Sequence, residues 1–218
     1  MRKHSAWWCR MIAVGMAISL WPAHVSAHPH TWIDLRTAAM VDAEGRIAAL
    51  RVLWTFDEFY TAFATEGMDK DGDGIPDDPA LQALAQESAK GLKDYSYFTF
   101  MKVAGKTVAT GPARDVESTF FQGRLGLAFI LPLAQPIDLR RETLVYRIYD
   151  PTYYIEVAHI KDRPVLFEGD APESCTYAIA EPKPDMNILS LAQSLDQSES
   201  AGDGLGEYFA ETVTLHCP

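Results

Sequence analysis

From residue 30 onward the chain follows a two-residue rhythm. In residues 30–41, Ile33, Leu35, Thr37, Ala39 and Val41 fall on one face of an extended segment. Asp42-Ala43-Glu44-Gly45 is turn material, and residues 46–56 alternate again with Leu50, Val52, Trp54 and Phe56 together. The two segments predict a hairpin or the start of a meander. The period then changes. Thr55-Phe56-Asp57-Glu58 has capping-box form and predicts a short helix carrying Phe59, Tyr60 and Phe63. Asp78 predicts the cap of a second helix with Pro79 at its first position. Leu81, Leu84, Ala85, Ser88 and Leu92 give that helix one mostly apolar face.

Alternation returns after Tyr95. It predicts strands over 95–103, 107–109, 114–121, 125–131, 143–149 and 153–160, with Pro132 and Pro136 ending the 125–131 strand. Pro164 and Gly169 mark a turn region. A strand over 174–180, a late helix over 186–192, a mobile polar loop over 197–206 and a closing strand over 211–217 complete the chain. Closely spaced strands with short turns define an α+β class that is mainly β. The predicted body is an antiparallel β-sandwich with an inserted helix–Asp-rich loop–helix over 57–94, and a second β-subdomain begins at about 96.

The first 27 residues break this pattern. Arg2 and Lys3, an apolar run over 11–21 and Val25-Ser26-Ala27 predict a secretory signal peptide cut after Ala27 and a mature periplasmic domain over 28–218. Cys9 lies in that segment with no lipobox around the cut. The full chain has 218 residues and a net charge of −11. Loss of Arg2, Lys3 and Arg10 leaves 16 basic residues against 30 acidic, a charge of −14. Such a chain repels nucleic acid and attracts cations. Cys175 and Cys217 remain, and two cysteines in an exported protein predict a disulfide. Its loop of roughly 43 residues would contribute about 4 kcal/mol in the chain-entropy model. Two free thiols, or Cys217 with His216 as metal ligands, are the alternatives.

The densest chemistry lies in Asp69-Lys70-Asp71-Gly72-Asp73-Gly74-Ile75-Pro76-Asp77-Asp78. Asp69, Asp71 and Asp73 fit positions one, three and five of an EF-hand loop. Gly74 follows at six, the Ile75 carbonyl at seven and Asp77 at nine. The pattern predicts Ca2+ or a similar hard cation. It departs at position twelve, where Ala80 replaces the bidentate Glu, and Asp78 or Glu66 are the nearest substitutes. A solvated acidic turn between two helices is the plainer alternative.

A second candidate lies at the mature start. His28, His30, Trp32 and Asp34 alternate, so they share one side of an extended chain and can offer ligands to Ni, Co, Zn or Cu. Pro29 lacks the amide hydrogen that an amino-terminal copper and nickel chelate must lose. His159, which alternates with Ile155 and Val157, is either a core histidine or a further ligand. A frayed start with solvated histidines is the alternative for the terminal pair. Nucleophile-elbow, zinc-protease, dinucleotide and phosphate-loop motifs are all absent from the sequence, so no enzyme is expected.

Residues 28–34, Trp54-Thr55-Phe56-Asp57-Glu58, the Asp loop, Tyr97-Phe98-Thr99, residues 149–154 and Phe209-Ala210-Glu211 resemble a family of bacterial exported proteins, domain of unknown function 1007. The resemblance covers nearly the whole mature chain. It implies a periplasmic component of an uncharacterised ABC-type transport system, associated with membrane nickel/cobalt transporters. The implied role is accessory to transition-metal transport or homeostasis, with an inner-membrane metal transporter or ABC-type permease as partner. The chain is shorter and richer in strands than a two-lobed solute-binding protein. A calcium-stabilised partner-binding module and a copper histidine-brace enzyme remain the competing classes.

Overall fold

A computed structural model describes residues 29–195 and 204–217. The segment read as a signal peptide, His28 and most of the predicted polar loop lie outside them. The described chain forms eleven strands and three α-helices, mainly β as the alternation predicts. Two sheets face each other across one core.

The first sheet begins with β1 (Thr31–Val41), antiparallel to β2 (Ile47–Phe56). Ile33 lies opposite Phe56, Leu35 opposite Trp54 and Thr37 opposite Val52, so both apolar faces turn the same way. β5 (Arg114–Phe121) and β6 (Arg124–Ile137) extend this sheet beyond β2. β8 (Ile155–His159) and β9 (Val165–Gly169) pair with the other edge of β1, and both run parallel to it. The second sheet has the order β10 (Thr176–Ala180), β11 (Thr212–His216), β7 (Leu144–Ile148), β3 (Thr99–Val103), β4 (Lys106–Thr107). Leu50, Val52, Phe129 and Leu131 of the first sheet meet Met101, Leu144, Val213 and Leu215 of the second in a shared core. Thr37 and Tyr146 join the sheets through a buried 2.6 Å hydroxyl contact.

Helices α1 (Glu58–Ala64) and α2 (Asp78–Leu92) follow β2. Leu81 and Ala85 of α2 are buried, and Gln82 donates to the Val116 carbonyl of β5 at 2.7 Å. The late helix is α3 (Met186–Ser194), capped by Asp185.

Several boundaries differ from the sequence reading. β2 runs through Phe56, so Asp57 caps α1 and accepts from the Tyr60 amide. Asp77, not Asp78, stands at the α2 cap. The strand predicted from residue 95 starts at Thr99, because Lys93–Phe98 winds into a 3-10 segment. Ser96, Tyr97 and Phe98 there have positive φ, and this turn buries Tyr97 and Phe98 in the core. β6 passes through Pro132 without ending. The Pro132 carbonyl accepts from Gly111, so its ring nitrogen also faces that irregular segment and β2 loses no donor. The region read as a turn around Pro164 and Gly169 contains β9, and its parallel pairing with β1 departs from a purely antiparallel body.

Candidate metal centre

The Asp loop joins α1 to α2 and stands open to solvent. Alternate carboxylates bend inward because Gly72 and Gly74 take φ of +80° and +86°, a region most side chains avoid. The Asp69 carboxylate accepts from the amides of Gly72 at 2.7 Å and Gly74 at 2.9 Å. The Gly74 amide, then that of Gly72, holds the Asp69 carboxyl below its ordinary range. Asp71 accepts from the Asp73 amide and Asp73 from that of Ile75. One ligand oxygen from each of Asp69, Asp71 and Asp73 lies within 4.8 Å of the others, so this triplet is able to hold a metal ion. Ile75 is exposed in the same loop. Asp77 is half-buried at the α2 cap, and no side-chain capping bond engages its carboxylate. Oxygen donors on a short, glycine-bent loop suit a hard cation.

The proposed transition-metal ligands fall on two faces of the first sheet. Parallel pairing sets Leu35 opposite His159 and Asp34 opposite Ala158. Paired residues share a face, so His159 joins Leu35 on the core side while Asp34 faces outward. Asp34 is engaged by Arg124 at 2.6 Å. His30 lies on the outward side, its ring 4.6 Å from that of Tyr154. Four residues along a strand place His30 and Asp34 about 13 Å apart. Asp34 and His159 therefore do not share a coordination sphere, and His28 is outside the described residues.

His159 is instead part of an internal polar contact. Its Nδ1 and its backbone amide both meet the Glu211 carboxylate at 2.7 Å. Its Nε2 is buried without a hydrogen-bond partner. Burial pushes the Glu211 carboxyl up, but its bonds to His159 outweigh that effect and leave it below the ordinary range.

Sequence-distant segments meet around the start of β1. The Trp32 amide donates to the Asp57 carboxylate, and Arg124 reaches the carbonyls of Thr55 and Phe56. Asp150 is buried but satisfied, since Thr152, Tyr154 and Ile155 all donate to its carboxylate. Tyr153 stacks on Phe209 at 3.9 Å. Gly206 passes so close to Asp150 that a Cβ there would overlap the Asp150 carbonyl oxygen. Burial pushes the Glu156 carboxyl up, while a hydrogen bond from Trp32 opposes the shift. Glu156 and Arg124 were not singled out in the sequence, and Glu211 stood out only as part of the closing Phe209-Ala210-Glu211 motif, with no partner assigned. Alternation placed Glu156 beside Trp32 only once the β1–β8 register was known. Cys175 and Cys217 form the expected disulfide.

Fold and site together define a two-sheet, mainly β protein with one acidic loop able to hold a metal ion. The chain belongs to the protein family of unknown function DUF1007, whose model matches residues 13–217. It is 27% identical over 196 residues to an uncharacterized protein of Haemophilus influenzae, covering 88% of this chain and 92% of that one. It is also 28% identical over 100 residues to an uncharacterized 15.5 kDa protein of Spirochaeta aurantia, covering 46% of this chain and 71% of that one.

Proposed function

We propose that this chain is a periplasmic accessory protein of metal transport or homeostasis, built as a calcium-stabilised partner-binding module. Ca2+ sits among Asp69, Asp71 and Asp73, with the Ile75 carbonyl and Asp77 as further donors, and water completes its shell. The observation that carries the reading is the convergence of the three carboxylates within 4.8 Å on a glycine-bent loop. Binding there fixes the connection between α1 and α2. Phe59 and Phe63 lie four residues apart on α1 and are 86% and 77% exposed, which supplies an apolar contact surface next to the loop. A membrane metal transporter or permease is the partner class. No catalytic step belongs to this reading.

Native mass spectrometry of exported protein, purified without chelator or affinity tag, tests it. The expected spectrum has a mature start at His28, an intact disulfide and one calcium, and the calcium is lost in a D71A/D73A variant. A spectrum without any cation after calcium loading overturns the proposal.

One observation favours a second reading, direct carriage of a transition metal. The arrangement of His159, a free Nε2 with Nδ1 held by a carboxylate, is one that metal-ligating histidines adopt. Loading with nickel, cobalt, zinc and copper separates the two. A second ion lost on replacing His28 and His30, or His159, supports carriage, whereas calcium alone leaves the partner-binding module.

A further inference from the structure

The second sheet differs in charge from the rest of the chain. None of its five strands contains Asp or Glu, although the whole protein has 30. Its outward face is traced by register. Met101 pairs with Tyr146, and Val213 with Tyr146, all turned to the core. The alternate residues Lys102, Arg147 and Thr212 therefore face outward. Two adjoining cavities open on this face. One has a volume of about 350 Å3, the other about 610 Å3, and both are lined by Arg147, Glu207 and Thr212.

Arg147 is fixed between them. Its Nε donates to the Thr212 hydroxyl and its Nη1 to Glu207, each at 2.8 Å. A guanidinium carries five N–H donors, and these two bonds use two of them. In the first cavity the Tyr149 ring stacks on Phe100 at 4.5 Å. Burial pushes the Tyr149 hydroxyl up, with Glu207 adding to the shift and Arg147 opposing it. The aromatic wall and the guanidinium thus border the same space. Lys102 adds positive charge to the first cavity and Lys183 to the second.

We propose that this groove is a binding site for a small organic anion, a carboxylate attached to a planar apolar group. The carboxylate takes the unused N–H groups of Arg147, a geometry that guanidinium supplies better than ammonium. The planar group lies against Tyr149 and Phe100. The cavity volume falls in the range of small-molecule sites, and its lining joins an aromatic wall to a few placed polar groups. Glu207 both orients Arg147 and competes for it. The site is independent of the Asp loop and of any cation bound there.

Phenylacetate is the probe, with phenylacetamide as its neutral counterpart, titrated into full-length mature protein and followed by NMR. Wild type should show saturable shifts centred on Arg147 and Tyr149 with phenylacetate only. R147A should lose them, R147K should weaken binding at least several-fold, and E207Q should keep or tighten it. Thermal melts of each variant establish that it is folded. Equal response to phenylacetamide, shifts that survive R147A, or no saturable shift in folded wild type overturns the proposal.

Discussion

The pairing of Glu211 with His159 shows how little of a buried polar contact is written locally. His159 is legible as a residue on an alternating strand face. Its partner is 52 positions away, and no spacing rule connects them. The contact has a definite pH signature. The Glu211 carboxyl lies below its ordinary 4.5 because His159 donates to the charged form. Its stabilising contribution is therefore complete above pH 4.5 and is lost as pH falls through the lower folded value. E211Q should cost about 1–2 kcal/mol at neutral pH, allowing for the water that still reaches the carboxylate. Thermal melts across pH 2.5–7, on the order of ten steps, provide the check. Wild type should lose stability more steeply than E211Q on the acid side, and the two curves should converge at the acid end. Parallel curves would mean that the ionised carboxylate contributes nothing to the fold.

Among the elements, the helix–loop–helix was the most legible. Carboxylate spacing, glycines and flanking caps are all local features, and the structure places both helices within two residues of the reading. Position twelve is where the loop departs from its pattern. Ala80 lies in the first turn of α2, three residues past the Asp77 cap. A carboxylate there would extend back toward the Asp triplet and also suit the helix N-terminus. A80E should tighten calcium binding by about tenfold or more, because ligand charge count moves loop affinity across decades. Isothermal titration against the parent is the measurement. An unchanged affinity would show that α2 enters at an angle that keeps position twelve out of reach. The 3-10 segment before β3 was not legible for the opposite reason. Tyr95, Tyr97 and Thr99 alternate as a strand would, and only the core that Tyr97 and Phe98 enter, where Tyr97 meets Phe129, selects the left-handed turn.

Strand faces can be read from a chain, but strand neighbours cannot. Alternation identified the apolar sides of β1 and β2, whereas the parallel pairing of β8 and β9 with β1 depends on chain crossings with no periodic signature. The order of the second sheet is equally non-local. β11, the last strand, lies between β10 and β7, so this sheet closes only when the end of the chain arrives. The Cys175–Cys217 bond joins the start of β10 to the end of β11 across 42 positions. In the unfolded chain that bond removes much of the freedom β11 must otherwise lose, worth about 4 kcal/mol in the chain-entropy model. A C175A/C217A variant should therefore shift the urea midpoint downward by roughly 2 M if the slope is about 2 kcal/mol per molar. Reduction of wild type should reproduce the shift, and calcium binding should survive in the folded fraction, because the Asp loop is attached to the other sheet through β2. A midpoint equal to wild type would show that β11 is held by its two neighbours alone: pairing on both sides and burial of Val213 and Leu215 would then suffice to close the sheet.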